Sequence, residues 1–568
     1  MTKTFGPQTE IGKWVFHDKY APNETFKEAM TRVANHLKDD EDHFNAFRTI
    51  LYDQRFLPAG RVQAAVGAPR ATTPYNCFVM GTIPDSMDGI MRVASEAAET
   101  MRLGGGVGYD FSTLRPRGTL IRSLDSKSSG PLAFMDVFDA LCKCILSAGH
   151  RRGAQMGVLR IDHPDVEEFI SAKCNHTTLS NFNISLGVTD EFMVAVRNDD
   201  NFDLVFEGRV YRTVKARALW DRVLRATWDW ADPGVLFLDT INNKNNLYYC
   251  ETIAATNPCG EQPLPPYGAC LLGSINMTKY IITILDGFGF DYEQLWEDLP
   301  HIIRAQDNIV DRAIYPLSQQ EEEAKSKRRM GIGITGLANI LEVMGLPYGS
   351  PKAVAWTEFF MEEFANKCYM ISSDLAKEKG SFPLYDEEMY LKSQFIQRLR
   401  VETQDAIRLN GIRNSHLLSV APTGTISLAA DNISSGLEPP YMIETSRKVL
   451  TYDGAKEWPV VDWAYSNYGV RGKTAGELTI DEHLAMLICV SKWVDSACSK
   501  TVNIGDDVTW DEFQSVYMKA WKGGASGCTT FRQKGERFGI FTEKKTEDQI
   551  VDGAACYVDP DTGIKTCE

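Results

Sequence analysis

The segment Asn257-Pro258-Cys259-Gly260-Glu261-Gln262 places a thiol, a carboxylate and an amide close together in the chain. Pro258 and Gly260 flank the cysteine, and both favour an irregular loop that presents the thiol. The Glu261 carboxylate can act as a general base, and the Asn257 amide can hold a hydroxyl or carbonyl group of a substrate. Taken alone, however, this pattern favours a turn around a buried structural cysteine over a catalytic site.

Other cysteines decide between these interpretations. Thirteen cysteines in a long chain without a secretory signal are not typical of a disulfide framework. Cys77 and Cys270 lie in apolar runs, so each is either a core residue or a partner of Cys259 in thiol redox chemistry. Cys556 and Cys567 lie in a charged, then Gly- and Asp-rich extension. We interpret them as a dithiol shuttle, which needs an accessible attacking thiol, with incidental exposed thiols as the alternative.

Three loops offer groups that could hold phosphate. The segment Ala421-Pro422-Thr423-Gly424-Thr425-Ile426-Ser427 provides backbone N–H groups and three hydroxyls, but it lacks the lysine of a Walker loop. Gly104-Gly105-Gly106 permits close backbone approach, although its spacing is not that of a dinucleotide-binding loop. The basic segment His150-Arg151-Arg152-Gly153 could contact a phosphate through arginine. The alternatives are an ordinary strand-to-helix turn and a solvated charge cluster.

The elements that must position these segments alternate along the chain. Helical periodicity of apolar residues is interrupted by short apolar runs that are typical of strands. This alternation predicts an α/β fold, with a barrel or a large parallel sheet as its architecture. Functional residues in such folds gather on loops at strand ends. The predicted helices cover residues 24–53, 86–102, 131–148, 215–232, 293–314, 317–344 and 352–379, and the predicted strands cover residues 179–188, 202–206 and 417–421.

The composition excludes several classes of function. With 43% hydrophobic and 24% charged residues, the chain is typical of a globular protein. Its net charge of −16 argues against a nucleic-acid-binding surface, which would be basic. There is no run of apolar residues long enough for a membrane span and no apolar stretch of a secretory signal at the N-terminus. These features predict a cytoplasmic protein (in the host cytoplasm if viral) that binds neither nucleic acid nor membranes.

In their order along the chain, these segments resemble those of the large catalytic subunits of ribonucleotide reductases. The resemblance runs from Arg55-Phe56-Leu57-Pro58-Ala59-Gly60-Arg61 to the tail cysteines, and it is most specific where Asn-x-Cys-x-Glu is followed by a cysteine strand. It implies a ten-stranded α/β barrel with a central finger loop. It also implies a short helical region over residues 1–54 without an ATP-cone, a catalytic barrel over 55–541 and a flexible tail over 542–568. Further matching segments are Asn76-Cys77, the Gly104 loop, Arg151-Arg152-Gly153-Ala154-Gln155-Met156, His163-Pro164-Asp165 and Pro422-Thr423-Gly424-Thr425.

The resemblance implies reduction of ribonucleotides to 2′-deoxyribonucleotides by thiyl-radical chemistry. Cys259 would carry the radical, Glu261 would be the general base on the 3′-hydroxyl, and Asn257 would hold substrate oxygens. Cys77 and Cys270 would deliver the reducing electrons and end as a disulfide. Cys556 and Cys567 would reduce that disulfide and be recharged by thioredoxin or glutaredoxin. The residues implied for substrate binding are Thr73, Asn76, Gly106, Pro422, Thr423, Gly424, Thr425 and Ser427.

Members of this family also carry a site for a dNTP or ATP effector that selects the base to be reduced. Asp85, Arg122 and Arg152 match positions that hold the effector, and residues 147–155 match the loop that couples effector to substrate. In a homodimer these loops would meet across the helices near residues 86–102 and 131–148. The apolar faces of those helices could equally be buried within one chain.

The radical source is predicted less directly. In the oxygen-dependent class, a metal-containing small subunit passes the radical through a Tyr-Tyr pair, where this chain has Gly527-Cys528-Thr529-Thr530-Phe531-Arg532. The Cys-Thr-x-x-Arg pattern is closer to the adenosylcobalamin class, but no insertion is evident that would help to hold a corrinoid. We therefore expect a radical-generating small subunit, with no cofactor or metal bound by this chain itself, and adenosylcobalamin use as the alternative.

The residues argue against two functions of other classes. A non-catalytic nucleotide-binding regulator would not need Glu261, Cys77, Cys270 or the tail thiols, all of which are present. A thiol oxidoreductase acting on proteins is disfavoured because the chain has no Cys-x-x-Cys motif.

Overall fold

The computed structural model describes residues 5–532 except 123, 148–150, 175–177 and 452–453, together with residues 535, 556–558 and 565–567. Helices and strands alternate through this part of the chain, which confirms the mixed α/β class. The α-helices span Glu10–Val15, Phe26–Leu37, Glu41–Tyr52, Gly60–Ala65, Met87–Arg102, Pro131–Cys144, Val166–Ser171, Asp190–Asn198, Ala216–Trp230, Leu238–Lys244, Tyr292–Arg312, Ser318–Lys327, Leu337–Val343, Pro351–Lys379, Glu387–Leu391, Gln394–Arg398, Val401–Asn410, Gly424–Ala429, Trp463–Tyr468, Ile480–Ser491, Trp510–Gln514 and Val516–Lys522.

Many of the strands are short. They are β1 (Phe56–Pro58), β2 (Cys77–Val79), β3 (Gly106–Asp110), β4 (Leu120–Ile121), β5 (Ser126–Lys127), β6 (Leu146–Ser147), β7 (Arg151–Arg152), β8 (Gln155–Arg160), β9 (Phe182–Val188), β10 (Asn201–Phe206), β11 (Arg209–Lys215), β12 (Gly234–Phe237), β13 (Ala255–Thr256), β14 (Pro263–Leu264), β15 (Ala269–Cys270), β16 (Leu272–Asn276), β17 (Ile281–Ile284), β18 (Gly287–Phe290), β19 (Gly331–Thr335), β20 (Glu444–Thr451), β21 (Gly454–Val461), β22 (Thr501–Ile504), β23 (Gly527–Arg532), β24 (Cys556–Val558) and β25 (Lys565–Cys567).

Two sheets form the centre of the molecule. The larger has the strand order β15-β2-β3-β8-β9-β12-β23-β22, and β2, β3, β8, β9 and β12 within it run parallel. The smaller has the order β1-β16-β19, with β16 and β19 parallel. Isolated parallel bridges join Ile332 of β19 to Leu418, and Val420 to Cys498 just before β22. Because β15 and β16 are separated only by Leu271, the two sheets are neighbours along the chain as well.

Apolar side chains form two buried clusters around these sheets. One cluster packs the helices Met87–Arg102, Pro131–Cys144 and Ala216–Trp230 on the larger sheet. The other packs the N-terminal helices and the long helices Tyr292–Arg312 and Pro351–Lys379 on β16 and β19. Burial of this extent removes a large apolar area from water, which is the main stabilising contribution to folding.

Three predicted helices are wrong in detail. The helix predicted over residues 131–148 ends at Cys144, and Leu146–Ser147 form β6. Residues 24–53 form two helices, because the Asp40 carboxylate accepts a hydrogen bond from His43 N–H (2.7 Å) and starts a new helix there. Residues 317–344 form a helix, the strand β19 and a second helix. Every residue of β19 is buried, so its apolar run lacks the alternation that marks a half-exposed strand.

The predicted strand over residues 202–206 exists as β10, but it pairs only with β11 in a separate hairpin. Residues 417–421 contribute the two isolated bridges instead of a regular strand. Within the described residues, no helix is both long enough and apolar enough to span a bilayer.

Candidate active site

The strands β13 and β14 form a hairpin whose tip, residues 257–262, we call the finger loop. Asn257 N–H donates to the Gln262 carbonyl (3.2 Å), and Gln262 N–H donates to the Asn257 side-chain oxygen (3.0 Å). Gly260 adopts a φ of +81°, which glycine tolerates better than other residues. The amide of Asn257 therefore closes the loop, and the residues between it and Gln262 form a tight turn.

The finger loop lies across the middle of the larger sheet because β3 has glycines where it passes. A Cβ added at Gly108 would overlap the Thr256 carbonyl oxygen, and one added at Gly106 would approach Pro258 Cγ to 3.2 Å. Asn183 of β9 donates from its side-chain nitrogen to the Pro258 carbonyl (2.9 Å). The glycine run that was predicted to allow close approach to a ligand thus also admits the finger loop.

Three thiols converge beside the finger loop. Cys77 of β2 and Cys270 of β15 are directly opposed in an antiparallel pair. A Cβ at Gly106 would lie 3.1 Å from Cys77 Sγ and 3.2 Å from Pro258, which places Cys77 next to the finger loop. Burial raises the pKa of the Cys270 thiol well above its usual value, and the neighbouring Glu261, Cys77 and Cys259 raise it further. Cys270 is therefore held as the protonated thiol.

Glu261 is held in the same buried site. Its side chain is almost completely buried, and its carbonyl accepts hydrogen bonds from Ala497 N–H (3.0 Å) and from Ser419 Oγ (2.9 Å). The Asn257 side-chain nitrogen is buried and has no hydrogen-bond partner among the described residues. An unsatisfied buried donor costs free energy, so a substrate oxygen that accepts from it would bind favourably.

Residues 422–427, which we call the threonine loop, lead into the helix Gly424–Ala429. Thr423 has a φ of +44°, and its hydroxyl lies 2.9 Å from the Ser427 hydroxyl and 2.9 Å from that of Thr335. Gly436 N–H donates to Thr423 Oγ1 (2.8 Å). The hydroxyls of Thr423 and Ser427 are therefore fixed by one another and by Thr335, a residue that the sequence did not single out. Pro422, Thr425 and Gly424 are buried in the same loop.

Thr73 and Asn76 lie just before Cys77. Thr73 is buried, and its hydroxyl accepts from Tyr75 N–H (3.3 Å). Asn76 N–H donates to the Cys270 carbonyl (3.2 Å), and the Asn76 side-chain oxygen is buried with no hydrogen-bond partner in the described part of the chain. Asn76 therefore brings a second unsatisfied amide to the strand that carries Cys77.

The effector residues predicted from the sequence lie on separate elements. Asp85 accepts from Arg115 Nε (2.6 Å), a partner that the sequence did not indicate. Arg122 is exposed in the turn between β4 and β5. Arg152 lies in β7 opposite Leu146, and residues 148–150 of the predicted coupling loop lie outside the described residues. The helices Met87–Arg102 and Pro131–Cys144 pack on each other, and β6 contacts the first of them.

Cys556 and Cys567 are opposed in the two-stranded antiparallel pair of β24 and β25. The backbone of β25 contacts the helix Gly424–Ala429, so the strand that ends at Cys567 lies beside the threonine loop. The intervening tail residues 559–564 lie outside the described residues.

Phe531 and Arg532 occupy the end of β23, where a tyrosine pair would serve a radical relay. Phe531 is buried. Arg532 Nε donates to the Trp228 carbonyl (3.2 Å), and its guanidinium lies 4.0 Å from the centre of the Trp228 ring. Neither side chain offers a phenol that could pass a radical.

An open cleft with a cavity volume of about 80 Å³ lies next to the threonine loop. Pro422 borders it on one side, and Ser499, Thr501 and Asn503 border it on the other. Ser499 is two residues beyond Ala497, which binds the Glu261 carbonyl, so the cleft reaches the surroundings of the finger loop. The remaining wall includes Asn432, Ile433, Ser434, Ser435, Glu438, Pro439, Pro440, Tyr441, Met442, Thr445, Val460, Asp462 and Ala475.

Comparison with known proteins agrees with this geometry. The model of the ribonucleotide reductase barrel domain matches residues 75–461 and 465–531. The chain belongs to the ribonucleotide reductase family. As a ribonucleotide reductase it is an oxidoreductase of deoxyribonucleotide biosynthesis, so the alternatives of a non-catalytic regulator and of a protein thiol oxidoreductase are excluded.

Three relatives of this reductase carry names that specify a cofactor. The vitamin B12-dependent ribonucleoside-diphosphate reductase of Mycobacterium tuberculosis is 33% identical over 92% of this chain and 78% of its own length. That of Thermoplasma acidophilum is 32% identical over 93% of this chain and 70% of its own length. The vitamin B12-dependent ribonucleotide reductase of Streptomyces clavuligerus is 28% identical over 86% of this chain and 60% of its own length.

These names correct the expectations about cofactor and partner. The sequence favoured a reductase without a cofactor of its own and with a radical-generating small subunit, and this preference is wrong. It rested on the compactness of the chain, in which no insertion for a corrinoid was evident, whereas relatives that match most of this chain are named for vitamin B12.

Proposed function

We propose that this ribonucleotide reductase removes the 2′-hydroxyl of a ribonucleotide at the site formed by Cys259, Glu261, Asn257, Cys77 and Cys270, with adenosylcobalamin as the radical source. The observation that supports it is the convergence of Cys259, Cys77, Cys270 and Glu261 in one buried site at the finger loop. The diphosphate named in the relatives from Mycobacterium tuberculosis and Thermoplasma acidophilum is the substrate to assay first.

In this proposal each residue of the site has one task. The Cys259 thiyl radical takes the 3′-hydrogen atom of the ribose, and the Glu261 carboxylate accepts the proton of the 3′-hydroxyl. Asn257 donates its unsatisfied N–H to a substrate oxygen. Cys77 and Cys270 give two electrons and two protons as water leaves C2′, and they end joined as a disulfide. Glu261 then returns its proton to the 3′-oxygen, and Cys259 returns its hydrogen atom to C3′.

Polar residues of the cleft are proposed to face a corrinoid. The periphery of a corrin ring carries amide side chains, which form hydrogen bonds with hydroxyl and amide groups. Ser434, Ser435, Asn432, Thr501 and Asn503 provide hydroxyl and amide groups there, and they would hold the ring. When bound, adenosylcobalamin supplies the radical equivalent that the Cys259 thiol takes up. A Cβ at Gly260 would meet nothing within 4 Å, so the tip of the finger loop has open space beside it.

The threonine loop is proposed to hold the substrate phosphates. Its backbone N–H groups and its fixed hydroxyls form a polar surface that needs no lysine. Thr73, Asn76 and Gly106 would contact the nucleoside on the opposite side, next to Cys77.

The tail is proposed to reduce the disulfide that forms in the site. Cys556 and Cys567, opposed across β24 and β25, would exchange with the Cys77–Cys270 disulfide and be reduced by thioredoxin or glutaredoxin. The contact of β25 with the helix Gly424–Ala429 supports an approach from the substrate side.

Regulation is proposed at Asp85, Arg122 and Arg152, which would bind a dNTP or ATP effector across a homodimer. The packed helices Met87–Arg102 and Pro131–Cys144 carry exposed apolar side chains such as Met87, with 63% of its surface exposed, which supports burial against a second copy.

The architecture is proposed to be a closed ten-stranded barrel over residues 55–541, between a helical N-terminal region and the tail. The two bridges through residues 418–420 and the short step from β15 to β16 support closure between the sheets.

The decisive experiment is an assay of the purified chain with adenosylcobalamin, a ribonucleoside diphosphate and a dithiol, with deoxyribonucleotide measured by chromatography. We expect product from the wild type and none from Cys259→Ser. Product formed by Cys259→Ser would overturn the assignment of the radical residue. A wild type that binds nucleotide but forms product only when a metal-containing subunit is added would overturn the cofactor proposal.

The tail is tested separately. The double variant Cys556→Ser/Cys567→Ser should complete a single turnover but stop before multiple turnover with thioredoxin. Undiminished multiple turnover with thioredoxin would contradict the shuttle.

A further inference from the structure

Asp495 is a buried carboxylate that is not among the residues proposed to contact the substrate. Only 3% of its surface is exposed, and it accepts hydrogen bonds from four donors. They are Leu417 N–H (2.7 Å), Leu418 N–H (3.1 Å), the Tyr369 hydroxyl (2.7 Å) and the Ser496 hydroxyl (3.2 Å). Burial raises the pKa of Asp495 to about 6, although these hydrogen bonds act in the opposite direction.

The two backbone segments that Asp495 ties together are those that hold Glu261. The first segment, residues 495–497, begins with Asp495. The Asp495 carboxylate binds the N–H groups of Leu417 and Leu418 in the second segment, residues 417–419. The next residue along the second segment, Ser419, donates its hydroxyl to the Glu261 carbonyl. Two residues beyond Asp495, Ala497 N–H donates to the same carbonyl oxygen. The Glu261 carbonyl therefore accepts hydrogen bonds from both segments, and the Asp495 carboxylate joins these segments to each other.

Further backbone hydrogen bonds hold the two segments together. Ser496 N–H donates to the Leu418 carbonyl (3.2 Å), and Val420 N–H donates to the Ala497 carbonyl (3.1 Å). On the other side, β19 presses on Ser419, because a Cβ added at Gly333 would overlap the Ser419 carbonyl oxygen. A displacement of the segment that carries Leu417 would therefore be passed to Ser419.

Tyr369 fixes the orientation of the Asp495 carboxylate. It is fully buried on the long helix Pro351–Lys379, and its hydroxyl also accepts from the Asn246 side-chain nitrogen (2.7 Å). Asn246 in turn accepts from the Ser393 hydroxyl (2.7 Å). The carboxylate is therefore connected by hydrogen bonds to a rigid helix outside the site.

We propose that Tyr369 and Asp495 are positioning residues for the reductase reaction, which set the place of Glu261 by joining the two segments that bind its carbonyl. This inference rests on the proposed function, in which Glu261 is the general base. Proton transfer depends steeply on the distance between base and hydroxyl, so a small displacement of Glu261 slows the chemical step. Substrate binding, which involves other residues, is left intact.

The test compares two buried tyrosines. Tyr369→Phe removes the hydroxyl that binds Asp495. Tyr390→Phe is the matched control, because the Tyr390 hydroxyl is equally buried, also neighbours the Asn246 side-chain nitrogen (3.5 Å) and donates to the Ser415 carbonyl (2.8 Å), but makes no hydrogen bond to Asp495. Both variants are assayed as holoenzyme with adenosylcobalamin, and their thermal stability is recorded.

We expect Tyr369→Phe to lower kcat about 10-fold at unchanged KM, because a misplaced base affects the transition state and not the ground state. Tyr390→Phe should leave kcat unchanged while losing a similar amount of thermal stability. Ser419→Ala should lower kcat as well, and combining it with Tyr369→Phe should add little, since both act on one carbonyl. Equal kcat in Tyr369→Phe and Tyr390→Phe, or fully additive effects of Tyr369→Phe and Ser419→Ala, would overturn the proposal.

A second measurement separates this inference from the proposed function. Amide hydrogen exchange of the peptide that contains Ala497 should be faster in Tyr369→Phe than in Tyr390→Phe, whether or not Glu261 is the base. Unchanged exchange overturns the positioning role. Undiminished kcat in Glu261→Gln instead overturns the assignment of the base.

Discussion

The finger loop and the threonine loop are both buried and polar, but the hydrogen bonding of their polar side chains differs. The hydroxyls of Thr423 and Ser427 in the threonine loop bind each other and Thr335 of β19, and Gly436 N–H also donates to Thr423. In the finger loop, the Asn257 side-chain nitrogen and the whole Gln262 amide are buried with no hydrogen-bond partner among the described residues.

In the proposed function, this difference would distinguish a preorganised binding surface from a reacting one. Hydroxyls that are fixed by one another keep their geometry with or without a ligand, which suits a charged group that must be held in place. Buried amides without partners destabilise the free protein, and that free energy is recovered only when a substrate supplies the partner. Changes in the finger loop should therefore affect kcat, and changes in the threonine loop should affect KM.

The largest effect is expected for Cys259→Ser. A serine hydroxyl does not form the radical that the thiol forms, so reduction should fall below detection while the threonine loop still binds nucleotide. Nucleotide affinity measured by calorimetry should match that of the wild type. A loss of affinity together with activity would contradict the separation of the two loops.

The next largest effect is expected for Glu261→Gln. Removal of a general base lowers rates by about 10²–10⁴-fold, so kcat should fall by this order at unchanged KM. Steady-state kinetics with the diphosphate substrate measure both constants. A rise in KM without a fall in kcat would place Glu261 in substrate binding instead.

A smaller effect, on KM instead of kcat, is expected for Thr335→Val. The substitution keeps the shape of the side chain but removes the hydroxyl that binds Thr423 and Ser427. Hydrogen bonds contribute about 1 kcal/mol each, so we expect KM to rise about 10-fold with kcat retained.

Thr357→Val is the control for that variant, because Thr357 is also fully buried and its hydroxyl has no hydrogen-bond partner in the described part of the chain. Its KM should stay at the wild-type value. A larger change in kcat than in KM for Thr335→Val would break the comparison between the loops.

The smallest effect on activity is expected for Glu342→Gln, on the helix Leu337–Val343 that follows Thr335. Burial and the neighbouring Asp462 raise the pKa of Glu342 from 4.5 to about 8. The folded protein therefore keeps a proton that the unfolded chain releases, and stability decreases as the pH rises from about 4.5 to about 8. Urea unfolding at pH 6 and pH 9 should show the variant gaining stability over the wild type at pH 9, on the order of 2–4 kcal/mol. An identical pH dependence in both proteins would contradict the assignment.

The residues that we propose to carry the chemistry could be singled out from the sequence because they are close together in it. Asn257, Cys259 and Glu261 lie within one loop, and their residue types state their possible tasks. The residues that hold them could not be predicted in this way. Ser419 is 158 positions from Glu261, and only the fold brings its hydroxyl to that carbonyl. A serine in the apolar run Leu417-Leu418-Ser419-Val420 was the available signal.

The fold shows the same limit. Amphipathic helices such as Pro351–Lys379 were predicted closely, because one face meets water and the period of apolar residues is visible. The strand β19 was predicted as part of a helix, because it is buried on both faces and its sequence has no alternation. The radical source was misjudged for a related reason, since residues that would hold a corrinoid need not form a recognisable insertion in the sequence.

Gly108 offers a practical use of this architecture. A methyl group at this position would collide with the backbone of Thr256, and backbone cannot rotate away as a side chain can. Gly108→Ala would therefore keep every reactive side chain but prevent the hairpin from packing across the sheet. Such a variant would be inactive, and nucleotide binding could be studied in it without turnover.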